Sequence, residues 1–137
     1  DVVSARIFRI YGKGSRDVIS RWVESIINNE VIEVFNENNS FDYIYAEDVA
    51  SGLLCMCSNK LKNKVYNLGT GKSTSIESVV GILKEKLKNV KIEKSNKEIF
   101  PERSGANMDS LYEETGWQAR YNIARGLDKV IEGASLK

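Results

Sequence analysis

The stretch with the plainest chemical possibility is Gly71-Lys72-Ser73, which follows a short apolar segment and looks like the end of a phosphate-binding loop. Such a loop needs a second glycine five residues earlier, so that backbone amides can wrap a phosphate. Position 66 is tyrosine, and the turn is too short for a full cradle. Lys72 therefore reads as a solvated lysine beside a helix start. Histidine is absent, which removes the usual general base and the commonest metal ligand. Cys55 and Cys57 stand two apart in an expected helix, so their side chains point to different faces. Core packing is the role expected of them, because a metal would need more ligands than lie nearby. Asp42, Glu47 and Asp48 are expected to hold a strand-to-helix corner rather than act as acids.

The elements that position these residues begin with the centre of the chain. Val65, Tyr66 and Leu68 suit a strand, Gly69 and Gly71 a tight turn, and Thr74 with Glu77 a capping box. Ile76, Val79, Val80, Leu83 and Leu87 then form one helical stripe. A strand, glycine turn and helix are the unit of parallel sheets with helical crossovers. Upstream, Val2 to Ile10 is nearly all apolar, as in a strand buried on both faces of a parallel sheet. Asp17 to Asn29 patterns as an amphipathic helix, Val31 to Phe35 as a strand, and 36–40 as a polar turn. Phe41 to Ala46 is extended, and the next helix carries Val49, Ala50, Leu53, Leu54 and Cys57, with Glu47 and Asp48 in its first turn.

Downstream, Val90 to Ser95 suits a lysine-flanked edge strand, and the run from Lys84 to Lys97 a solvated face. Residues 99–105 form a loop with the only proline. Asp109 is expected to cap a short helix stopped by Gly116, and Asn122 starts the last helix, with Ile123, Leu127, Val130 and Ile131 inward.

The 137 residues make one domain's worth of chain, able to bury roughly two-thirds of its unfolded surface. Twenty basic against nineteen acidic residues leave a formal charge of +1, which gives no footprint for nucleic acid. No apolar run is long enough to span a membrane and no signal peptide is visible, so the expected compartment is the cytoplasm.

Four segments then line up in one order: Arg6 to Gly12, Phe41 to Ala50, Val65 to Gly71, and Thr115-Gly-Trp117 followed by a helix with Gly126-Leu127. Together they resemble the C-terminal half of the NAD-dependent sugar epimerase/dehydratase family, the extended short-chain dehydrogenases, from residue 2 to about 131. The resemblance implies an α/β fold: a fragment of a Rossmann-like parallel sheet, with Val2–Ile10 and Val65–Gly69 as late strands, plus the small α/β substrate-binding domain. It implies a nucleotide sugar or similar small molecule as ligand. NAD is implied for the full-length protein and not for this chain alone, because the family's glycine fingerprint and catalytic Tyr-x-x-x-Lys pair belong to the earlier part. No tyrosine here has a lysine four residues later. This polypeptide is thus expected to position a ligand and not to catalyse, with about 150–180 residues expected before Asp1 and an exposed sheet edge that invites a homodimer.

The resemblance carries site residues over singly. Arg9 stands where the family usually has an asparagine contacting the diphosphate; it could grip phosphate bidentately or form a structural ion pair. Phe35 matches the position lying against the nucleotide base. Phe41 departs from the family's diphosphate-binding arginine, so either Arg9 compensates or the ligand is different. Arg103 matches a later phosphate-binding arginine. Asn67 is placed in the same set, although shaping of the glycine turn is the role preferred for it over ligand contact.

Overall fold

The computed structural model describes residues 2–95 and 100–135. The chain opens with strands β1 (Ser4–Ile7) and β2 (Arg9–Tyr11), then α1 (Val18–Ile27) and β3 (Val31–Phe35). After the turn come β4 (Ser40–Phe41), β5 (Tyr43–Tyr45) and α2 (Ala46–Ser58). The second half runs β6 (Val65–Leu68), β7 (Thr74–Ser75), α3 (Ile76–Lys86), β8 (Lys91–Ser95), α4 (Asp109–Thr115) and α5 (Ile123–Ser135). Three strand pairs are parallel: β1 with β6, β2 with β5, and β3 with β8; β4 with β7 is antiparallel. Ala5 lies opposite Tyr66 and Arg6 opposite Asn67, so the first strand and the central one are the parallel neighbours expected.

The expected strand from Val2 to Ile10 is instead two strands that break at Phe8 and change partners. Nor is it buried on both faces. Val3 and Ala5 pack inward while Val2, Ser4 and Arg6 are exposed, the period of a half-buried strand. The strand that is enclosed on both sides is β5. Its Tyr43 and Tyr45 enter a core built from α1, β3, α3 and α5, whereas Ile44 enters a second core with Val49, Met56, Tyr66, Leu68 and Leu111. Alternation along three residues thus joins two clusters through one strand.

Local rules explain most element ends. Asp17 caps α1 by accepting from the Ser20 amide at 3.0 Å, and Asn122 accepts from the Arg125 amide at 2.9 Å at the start of α5. The cap of α3 is Ser75, accepting from the Ser78 amide at 3.0 Å, and not Thr74, which is paired with Phe41 in β7. Met108 precedes α4 without a side-chain cap, so Asp109 sits in the first turn instead of capping it; Gly116 ends that helix as expected. Cys55 is only half-buried and Cys57 exposed, against the core role expected of them, because α2 turns Val49, Gly52 and Met56 inward. The same rotation leaves Ala50, Leu53 and Leu54 outward. The lysine-rich segment is a solvated face as far as Ser95, with Lys86 on Asp128 and Lys94 on Glu37; Lys97, Glu98 and Ile99 lie outside the described residues.

Helix α5 lies close against β2. A Cβ on Gly126 would come within 2.6 Å of the Tyr11 ring carbon that carries the hydroxyl. That hydroxyl is sealed from solvent without a hydrogen-bond partner. Gly126→Ala is therefore expected to cost about 1–3 kcal/mol through overpacking. Tyr11→Phe should leave stability unchanged or higher, since no bond is lost; urea midpoints of both variants check this. Burial also pushes the Tyr43 phenol from 10 up to about 12, partly opposed by Arg9. A raised folded value means that this stability is whole below pH 10 and is lost as pH rises through about 12. Alkaline unfolding curves of Tyr43→Phe should lack that part of the loss.

Candidate functional site

Two carboxylates build the walls of the site. Asp42, fully buried between β4 and β5, accepts at Oδ1 from the Thr70 amide (2.8 Å) and hydroxyl (2.6 Å). Its Oδ2 accepts from the amides of Gly71 (2.9 Å) and Ala106 (3.1 Å). Gly71 has φ +76°, a conformation that aims two successive amides at one carboxylate. The turn amides that a phosphate cradle would need are thus already bonded to the chain's own carboxylate, and Lys72 is exposed beside them. The reading of Lys72 as a solvated lysine holds.

Asp48, also fully buried, accepts from the Arg120 and Tyr121 amides at 2.9–3.1 Å. Glu47 accepts from the Tyr121 hydroxyl at 2.9 Å. All three carboxylates hold the strand-to-helix corner, and they hold it to segments 28 to 74 residues away. Between those segments lies an open cavity of about 650 Å³, lined by Tyr43, Thr70, Lys72, Tyr112, Trp117 and Arg120 among others.

None of the four residues singled out from the sequence lines that cavity. Two of them, Arg9 and Arg103, attach instead to β4. The Arg9 guanidinium carbon lies 3.5 Å from the centre of the Phe41 ring, in cation–π contact. Arg103 is exposed, and its backbone bridges to Ser40, the residue before Phe41. Phe35 ends β3, half-exposed, and enters β4 through the turn closed by the Asn39 amide on the Asn36 carbonyl. Among the described residues, neither arginine has an acidic partner. Asn67 donates to the Asn107 carbonyl at 3.0 Å and so braces the segment before α4. Sequence reasoning missed Tyr43, which stands opposite Arg9 in the β2–β5 register. The signal was available, since Phe41 and Tyr43, two apart in a strand, share a face.

Residues 1–69 match the NAD dependent epimerase/dehydratase family. A protein of Methanocaldococcus jannaschii named "Putative UDP-glucose 4-epimerase" is 28% identical over 138 residues, spanning 92% of this chain and 43% of that protein. CDP-abequose synthase of Salmonella muenchen is 27% identical over 139 residues, spanning 94% of this chain and 46% of the synthase. The structure of MoeE5 in complex with UDP-glucuronic acid and NAD superposes with TM-score 0.88 at 24% identity, covering 99% of this chain and 48% of that one. The chain spans about half the length of the proteins it matches.

Removing the carboxylate at the corner should unfasten both turns that it holds. Asp42→Ala leaves the amides of Thr70, Gly71 and Ala106 without their acceptor, and is expected to cost about 3 kcal/mol or more. Denaturant unfolding measures the loss, and faster amide exchange at these three residues localises it.

Proposed function

The chain belongs to the NAD-dependent epimerase/dehydratase family, and we propose that it is the substrate-binding portion of a nucleotide-sugar epimerase or dehydratase, holding the sugar nucleotide without catalysing by itself. In this reading Arg9 and Arg103 grip the diphosphate, Phe35 lies against the base, and Asn67 keeps the adjoining segment in place. The observation that carries it is the attachment of two arginines without acidic partners to one short strand, β4. Such guanidinium groups have their planar forks available for a phosphate. What the chain contributes is orientation, which turns a loose encounter into a reactive geometry.

The glycine turn after β6 has its amides bonded to Asp42, which leaves no backbone cradle there for a pyrophosphate. NAD and the proton-transferring groups are assigned to a Rossmann half outside this chain, in the cytoplasm. Ile7 and Val65 of the β1–β6 pair, with Val2 just before it, are exposed apolar residues that suit a cover by that half or by a second copy.

A second reading has its own observation. Phe41 is buried in the core, so it cannot replace a phosphate-binding arginine itself. A non-catalytic docking module that has lost the ligand would keep this fold equally well. Calorimetric titration of UDP-glucose, UDP-glucuronic acid and a CDP-sugar, with the Rossmann half supplied, separates the two. Binding that falls tenfold or more in Arg9→Gln and in Arg103→Gln is expected; no binding to any of the three sinks the sugar-nucleotide reading. Light scattering of this chain alone should show dimers, and a clean monomer at high concentration would argue against edge pairing.

A further inference from the structure

A helix at a protein surface usually turns polar residues to water, and α2 does not. Its Gly52 and Met56 face inward, with Gly52 against Leu68 and Trp117. The opposite side carries Ala50, Leu53, Leu54 and Cys57, at the spacing of one helical stripe, and all four are exposed. Leu54 is the most open of them, at 68%. No charged residue interrupts the chain between Asp48 and Lys60. A continuous apolar surface of this kind marks a contact site.

This face is separate from the open edge of β1. An added strand extends a sheet in its own plane, whereas the stripe lies on the side of α2 turned away from Leu68 of β6. A strand docked beside β1 would leave the stripe bare. The stripe also reads alike from either end. Three residues before Leu53 and three after Leu54 stand two small side chains, Ala50 and Cys57. Six residues out stand Glu47 and Lys60, both exposed and opposite in charge. Lys60 has no partner among the described residues. Glu47 accepts only through Oε2, from the Tyr121 hydroxyl at 2.9 Å. A surface that complements itself about its midpoint meets the demand of a two-fold axis, where residue i touches j while j touches i.

We propose that α2 is a homodimer interface, packed antiparallel against α2 of a second copy about a two-fold axis between Leu53 and Leu54. The two leucines of each copy form its centre. Ala50 of each copy meets Cys57 of the other, and these small side chains let the helices approach closely. At the rim the flexible stem of Lys60 brings its charge to Glu47 of the other copy. Antiparallel pairing also sets the positive end of each helix dipole beside the negative end of its neighbour. The interface goes beyond the sugar-nucleotide reading and does not depend on it.

Disulfide trapping in the full chain tests the register. In Cys55→Ser with Ala50→Cys, oxidised glutathione should link two copies between positions 50 and 57, a bond identified by peptide mass. Cys55→Ser alone should stay unlinked. The two Cys57 residues then lie seven residue rises apart along the axis, roughly 10 Å, which a disulfide does not span. Leu54→Glu should raise the dimer dissociation constant about a hundredfold in light scattering, since each lost contact counts twice. An unchanged urea midpoint shows that this variant folds. Val65→Lys, at the β1–β6 edge, should leave the dimer intact. A monomeric parent at high concentration, a dimer untouched by Leu54→Glu, or no link between 50 and 57 overturns the interface. So does a monomeric Val65→Lys, which gives dimerisation to the sheet edge. If Leu54→Glu abolishes association with the Rossmann half while dimers persist, the stripe belongs to that half and the proposal falls.

Discussion

Everything in this fold hangs on two carboxylates buried at either end of β5. Moving an ionised carboxylate out of water costs several kcal/mol, and a cation close by is the usual compensation. Asp42 has none; its four bonds come from three amides and a hydroxyl. Asp48 likewise takes the amides of Arg120 and Tyr121, with the Arg120 side chain no nearer than 3.9 Å. Each oxygen therefore requires a particular piece of backbone to be present, at a particular distance, before the charge can be buried at all. Amides aimed at one anion by a turn form such a nest. The consequence is that the turn after β6, the segment at Ala106 and the approach to α5 are all located relative to β5, although none of them pairs with it in a sheet.

The same constraint explains what was readable in the amino-acid sequence. Helices α1, α3 and α5 and strands β3 and β6 follow from apolar spacing and short-range caps, which are properties of neighbouring residues. The position of Asp42 in an extended stretch was equally visible, but its partners are 28, 29 and 64 residues away. No local pattern announces such a bond. The slip from Thr74 to Ser75 as the cap of α3 has a related cause. Both residues can cap, and the choice was made by Phe41, whose pairing with Thr74 drew that residue into a strand. The cysteines were misplaced because α2 has a weak apolar bias. Its inward face is set by Gly52 lying under Leu68 and Trp117, a contact that hydrophobicity alone does not weigh.

Candidate ligand contacts were legible by resemblance and then rearranged by packing. Phe41 read as the loss of an arginine. In the fold, an arginine is supplied from the neighbouring strand β2 and laid across the very ring that replaced it. Cation–π contact at a partly desolvated position stabilises by about 0.5–2 kcal/mol, enough to bias a flexible side chain toward one orientation though not to anchor a ligand. The cation on this face thus comes from β2 and is held against an aromatic ring of β4.

Two cores joined by β5 also bear on how the halves of such a protein could communicate. Tyr43 belongs to the core under α1 and α3, Ile44 to the one under α2 and α4, and each is at most 6% exposed. A close-packed strand transmits displacement because its neighbours have no free volume to absorb it. Any shift of β5 would therefore be felt at Ile44 and its neighbours Tyr66 and Leu68 as well as in the first core. Tyr66 and Leu68 lie in β6, the partner of the solvent-facing strand β1. The two cores are therefore joined through packed side chains, with three residues of β5 as the joint.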